Sequence, residues 1–174
     1  MNSAVIRGAR STANWRWLWL SAAVIAIDQA TKHWMLAAFR PGEDLPLAPF
    51  ASLVLAFNKG AAFSFLAGAD GWQRWLFAAV AVAACAVMGW LLRRGGRPLY
   101  CAGLALIIGG ALGNLYDRLT LGQVVDFLLL HYGGWYYPAF NGADSAITVG
   151  AAALIIDSFR ERRTPGATSS REGR

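Results

Sequence analysis

Charge is what this chain has least of. Asp, Glu, Lys and Arg make up 15% of its 174 residues, against about 25% in ordinary soluble domains. That shortage argues against a disordered chain, a nucleic-acid-binding arm or an ordinary water-soluble enzyme. Cysteine is almost as scarce. Cys85 and Cys101 each lie in an apolar run with no CxxC or Cys/His neighbour, which argues against zinc or redox chemistry and leaves two small core residues. The two histidines, His33 and His131, stand apart, and two isolated imidazoles do not make a metal site. No metal and no cofactor are therefore expected. What is present in excess is apolar. Hydrophobic residues are 56%; counting glycine in and tyrosine out gives about 64% where soluble domains hold 45–50%. The composition is that of a membrane protein, and the net charge of +6 becomes a question of which side of a bilayer the arginines occupy.

Four stretches are long enough to span a hydrocarbon core of about 20 helical residues: 15–38, 72–92, 99–115 and 143–159. The first follows a basic lead, as a signal peptide would. It is too long for an apolar signal core and contains Asp28 and Lys32, so it reads as a retained helix. Trp15, Trp17, Trp19, Trp72, Trp75 and Trp90 cluster near the span ends, as an interfacial belt requires. Arg7, Arg10 and Arg16 precede the first span. Arg93, Arg94 and Arg97 fill the second link. Arg160, Arg162, Arg163, Arg171 and Arg174 follow the last. The positive-inside rule then places both termini in the cytoplasm and segments 40–71 and 117–142 outside. Residues 1–160 read as one domain, and 161–174 as a disordered cytoplasmic tail. The outer segments are not ordinary loops. Residues 45–57 are apolar and punctuated by proline, and 124–130 is strand-like, so both are expected to rest on the outer membrane face.

In so apolar a chain each polar residue at membrane depth or rim is a functional candidate. Asp28 and Lys32, four apart, share a helical face and can pair. Asn58 to Ser64 form a small-residue turn in which glycine permits close backbone approach. Gly109, Gly110 and Gly113 suit tight helix packing. Asn114 and Arg118, one turn apart, share a face, whereas Asp117 points elsewhere. Asp126 is an acid within an apolar run. Asp144 lies where the chain re-enters the membrane, as an N-terminal helix cap would. Two carboxylates held close cannot easily both ionise, and such a pair can serve as base and acid together. Asp117, Asp126 and Asp144 all compete for that role, and spacing alone does not choose two.

The motifs Asp28-Gln29-x-x-Lys32, Asn58-x-Gly60-Ala61-Ala62-Phe63-Ser64, Gly109-Gly110-Ala111-x-Gly113-Asn114-x-x-Asp117-Arg118, Val124-Val125-Asp126-Phe127 and Phe140-Asn141-x-Ala143-Asp144-Ser145 occur in this order. Together they resemble the prolipoprotein signal peptidase (signal peptidase II) family of bacterial membrane aspartic peptidases. The resemblance covers residues 28 to 145. It implies a mainly α membrane fold of four transmembrane helices, with a small extracytoplasmic β-cradle and an outer amphipathic segment. It implies Asp126 and Asp144 as the catalytic pair. It also implies that Asn58, Gly60, Gly110, Asn114, Arg118, Asn141 and Ala143 line the substrate groove. Asp28, Lys32 and Asp117 fall to structural support. Diacylglyceryl-modified prolipoproteins would be the substrates, cut just before the lipidated cysteine at the outer face of a bacterial inner membrane. The other partner would be lipid and not nucleic acid, and the expected state is a monomer.

Two other functional classes share part of this pattern. A small ion-coupled transporter would use buried charges, but four spans without a repeat or broken helices do not fit one. A membrane chaperone would bind the same lipidated chains and cut nothing. The GxGD sequence of presenilin-like peptidases is absent.

Overall fold

The computed structural model describes residues 14–60 and 71–162, with side chains to 160. Ala61 to Ser64 and the tail from 163 lie outside the described residues, as do Arg7 and Arg10. A short 3₁₀ turn, Trp15–Trp17, leads into α1 (Leu18–Ala38). Strands β1 (Asp44–Ala48) and β2 (Ala51–Asn58) follow, then α2 (Trp72–Arg94) and α3 (Pro98–Thr120). The chain ends in β3 (Val124–Tyr132), β4 (Trp135–Tyr136) and α4 (Gly142–Arg162).

On α1 the buried residues are Ser21, Asp28, Lys32 and Met35, one face by helical spacing. Its exposed residues include Trp19, Ile27 and Trp34. In α2 only Gln73, Ala78 and Leu92 are buried, while Trp72, Trp75, Val80, Val82, Val87 and Trp90 face out. Polar residues buried on α1 and large apolar side chains facing out on both helices are what a lipid solvent selects. Among the described residues, α2, α3 and α4 are long and apolar enough to cross a membrane by length and composition. Asp28, Gln29, Lys32 and His33 interrupt the apolar run of α1. Its 21 residues still rise roughly 30 Å, a bilayer core in length.

α3 is the central helix and packs against each of the other three. Small residues let it do so. A Cβ on Gly103 would lie 2.9 Å from the Gly150 carbonyl, and one on Gly150 2.7 Å from the Gly103 carbonyl. The two backbones therefore cross there without side chains between them. Gly109 meets the Ser21 carbonyl of α1 in the same way, at 2.9 Å. Ser21 Oγ donates to the Ala105 carbonyl at 2.7 Å, a bond that has no competing water in lipid. At the opposite end from the sheet, Arg97 donates to the Asp157 carbonyl (2.7 Å) and carboxylate (3.0 Å), joining α3 to α4.

The four strands form an antiparallel sheet in the order β1-β2-β3-β4. Pairing of β2 with β3 joins the two outer segments and sets Ala56 opposite Asp126 and Asn58 opposite Val124. Met35, Leu55, Val125 and Phe127 form the buried cluster that seats the sheet on the end of α1. Phe140 bridges back to Leu128, which brings Asn141 and the start of α4 beside β3.

Two boundaries correct the sequence reading. The third helix runs to Thr120 rather than 115, so Asp117 and Arg118 belong to it and not to an outer loop. The last turn stays helical because Asp117 is buried and paired. The cap of α4 is Asn141, not Asp144. Asn141 Oδ1 accepts the Asp144 N–H at 2.9 Å, and Asp144 Oδ2 accepts the Asn141 N–H at 3.3 Å. This reciprocal pair is a capping box, which places the acid at the third helical position.

Candidate active site

The sheet, the end of α3 and the start of α4 converge on two carboxylates. Asp126 stands on β3 and is 2% exposed. Asp144 stands in the first turn of α4 and is half-buried. Asn141 touches both: its Nδ2 donates to Asp126 Oδ1 at 2.7 Å, and its backbone N–H reaches Asp144 Oδ2. Asn114, nearly two turns before the end of α3, donates through Nδ2 to Asp144 Oδ1 at 2.8 Å. The third competitor, Asp117, does not join them. Its Oδ2 pairs with Lys32 at 2.9 Å and accepts the Val125 N–H at 3.2 Å, and Gln29 donates to its Oδ1 at 2.9 Å.

The two acids sit in different environments. Burial pushes Asp126 up from 3.8 to about 7, and the nearby Asp144 charge pushes in the same direction. Hydrogen bonds from Asn58 and Asn141 and the charge of Lys32 oppose the rise without cancelling it. Asp144 faces two N–H donors and is open to solvent on one side. Asp126 thus holds its proton up to about pH 7, while Asp144 accepts hydrogen bonds from Asn114 and Asn141.

The remaining candidates surround the pair. Asn58 is fixed by a local turn: its Oδ1 accepts the Gly60 N–H at 2.7 Å, which leaves its amide nitrogen to donate to Asp126. Gly60 has φ +91° and lies against the Phe77 ring, where a Cβ would clash. Arg118 is half-buried, lies over the Phe77 ring at 5.3 Å and donates to the Asn114 carbonyl at 3.2 Å. The charges of Asp144, Asp126 and Asp117 act on it. Gly110 and Ala143 occupy a different place from the groove lining that the resemblance implies. Both are buried in the α3–α4 contact, and a Cβ on Gly110 would strike the Ala143 carbonyl. They set how closely the helices carrying Asn114 and Asp144 approach.

Below the pair lies a buried polar cluster. Lys32 bonds Asp28 at 2.7 Å, Asp117 at 2.9 Å and Asn114 Oδ1 at 3.0 Å. Asp28 also accepts the Ala143 N–H at 2.9 Å. Gln29 was quoted in the sequence motif without a role. It donates to Asp117, Asp28 and the Gly113 carbonyl. An amide in an otherwise apolar helix was the signal for it. Among the described residues no cluster of three or more His, Cys, Asp or Glu is arranged to hold a metal ion.

A water between two such acids, one ionised and one protonated, can be deprotonated by the first and attack an electrophile polarised by the second. The comparisons with known proteins converge on that chemistry. The family model for signal peptidase (SPase) II matches residues 20–160. The lipoprotein signal peptidase of Paraburkholderia phymatum is 53% identical over 148 residues, 84% of this chain and 89% of that protein. Its counterpart in Ralstonia nicotianae is 54% identical over 148 residues, 84% and 86% of the two chains. That of Pseudoalteromonas atlantica is 50% identical over 149 residues, 84% and 91%. A bacterial membrane enzyme solved by the in meso method at 1.9 Å superposes with a TM-score of 0.74 at 26% identity, over 84% of this chain and 94% of that one. A second such structure, at 2.3 Å, gives the same TM-score at 24% identity, over 91% and 94%, and shares the fold. With its two unequal carboxylates, its apolar helices and its small antiparallel sheet, the chain belongs to the signal peptidase II family of membrane aspartic peptidases.

Proposed function

We propose that this chain removes the signal peptide from diacylglyceryl-modified prolipoproteins, with Asp126 and Asp144 as the catalytic pair, and cuts just before the lipidated cysteine. The observation that carries the assignment is Asn141, which bonds both carboxylates, with Asp126 buried and Asp144 half-open to solvent. Asp144, held as an acceptor by Asn114 and the Asn141 N–H, takes a proton from water. The resulting hydroxide attacks the scissile carbonyl. Asp126, protonated, donates a hydrogen bond to the developing oxyanion, and a proton then passes to the leaving amine. Arg118 and Asn58 bind the substrate backbone beside the pair. The acyl chains stay in lipid against the exposed apolar helix faces, which confines the scissile bond to one plane and supplies proximity without a deep pocket.

The same reading sets the topology. Arg93, Arg94, Arg97 and Arg160 lie at the helix ends away from the sheet, so the positive-inside rule puts that end in the cytoplasm and the acids at the outer rim of a bacterial inner membrane. The test is cleavage of a lipidated precursor by reconstituted protein. Asp126→Asn and Asp144→Asn each lose cleavage by about 10²–10⁴-fold while still inserting. Parental cleavage by either variant refutes the pair.

A further inference from the structure

Resting on that pair, we propose that Lys32 is a positioning residue: it fixes which way the Asn114 amide faces, and so fixes Asp144 as the proton acceptor.

A lysine ammonium has three donors and no acceptor, while an asparagine amide has an acceptor end and a donor end. Lys32 Nζ spends its donors on Asp28 Oδ2, Asp117 Oδ2 and Asn114 Oδ1. The atom of Asn114 that faces Lys32 must therefore be its oxygen. Asn141 Nδ2, another donor, meets the same oxygen at 3.1 Å. With the acceptor end so held, the amide nitrogen points to Asp144 Oδ1 at 2.8 Å. An N–H aimed at that oxygen favours the form of the acid that accepts, the ionised one. If the amide turned over, an oxygen would face Asp144 and favour the protonated acid instead.

Neutralising Lys32 needs only one of its two carboxylates. The third bond, to Asn114, adds nothing to charge balance; what it adds is direction. The cluster also reaches each element that carries part of the site. Asp28 takes the Ala143 N–H at the start of α4, and Asp117 takes the Val125 N–H beside Asp126 on β3. A purely structural ion pair would need neither contact.

The groups facing Asp126 are Asn58 from β2, Asn141 and Asp144 from α4, Lys32 from α1 and Arg118 from α3. Of these, Lys32 acts on the pair both by charge and through Asn114. The proposal is tested on the full chain reconstituted in lipid, with a lipidated precursor as substrate. Lys32→Met lowers kcat by about 10- to 100-fold, as a misoriented catalytic group does, with KM within about threefold of the parent. It also moves the alkaline limb of the kcat–pH profile upward, because a cation that favoured ionised Asp126 is gone. A lysine that only held its two carboxylates would lower the amount of active enzyme and leave kcat per folded molecule at the parental value.

Because Lys32→Met strands two buried carboxylates, Asn114→Asp is the second variant. It keeps an acceptor for Lys32 and the same volume, but turns an acceptor towards Asp144. It retains the fold, loses about 100-fold or more in kcat at pH 7 and recovers in part as pH falls and the introduced carboxyl takes a proton. Parental kcat in Lys32→Met, or parental kcat and pH profile in Asn114→Asp, overturns the proposal. Parental cleavage by Asp144→Asn would instead overturn the pair on which it rests.

Discussion

Asp126→Asn should stabilise the protein that it inactivates. The folded chain holds this carboxyl at about 7, where 3.8 is its ordinary value. A pKa raised on folding means that folded protein keeps a proton that the unfolded chain has released. The acid therefore costs nothing below about pH 4. Its cost grows as pH rises and levels off above about pH 7, where the folded state carries a buried charge. A shift of about three units at about 1.4 kcal/mol each sets an upper bound of about 4 kcal/mol. Asparagine at this position cannot ionise, and its carbonyl still accepts from Asn141 Nδ2 as Asp126 Oδ1 does at 2.7 Å. The assay is thermal unfolding of parent and variant in the same detergent from pH 4 to pH 8. The two should nearly coincide at pH 4 and diverge to roughly 8–16 °C at most at pH 8, with the variant higher. Subtracting the curves cancels the other acids, which both proteins share. Cleavage by the parent should fall above about pH 7, in step with loss of the Asp126 proton. Parallel unfolding curves, with no gain at pH 8, would refute the claim that burial keeps this acid protonated.

The other predictions concern packing. Gly110→Ala places a methyl against the Ala143 carbonyl and 2.7 Å from Ile147 Cγ1, an overpacking cost of about 1–3 kcal/mol. It should also slow cleavage, because it spreads the helices that carry Asn114 and Asp144; unchanged thermal stability and kcat would count against the seam. Arg97→Ala removes the α3–α4 link at the end far from the acids. Arg97 is half-exposed, so stability should drop by only about 1 kcal/mol or less, and cleavage should stay at the parental rate per folded molecule. A clear fall in that rate would mean that the two ends of the bundle are coupled.

The location of the helices was legible because lipid leaves a strong record in composition. Long apolar runs, tryptophans at their ends and arginines beyond them need no tertiary contact to be read. The outer strands were legible from proline punctuation and the apolar run around Asp126. The acids were harder. Asp117, Asp126 and Asp144 look alike along the chain, and the motif order separates them only by resemblance.

Tertiary structure separates them by contact. Asp117 is consumed by Lys32, Gln29 and the Val125 N–H, so it has no free face to offer a substrate. Asp126 is buried where β3 meets Asn58 and Asn141, and Asp144 is held in a capping box at the start of α4. Gly110 and Ala143, expected in the groove, are buried where α3 meets α4. The sequence alone determined that this is a membrane protein, roughly where its helices run and which few polar residues deserve notice, since those follow from local composition. Which carboxylates share an asparagine, and which one burial keeps protonated, only the packed structure decided. A pKa depends on the charges and donors within a few ångström, and here they come from α1, β2, α3 and α4, up to about a hundred residues apart in the chain.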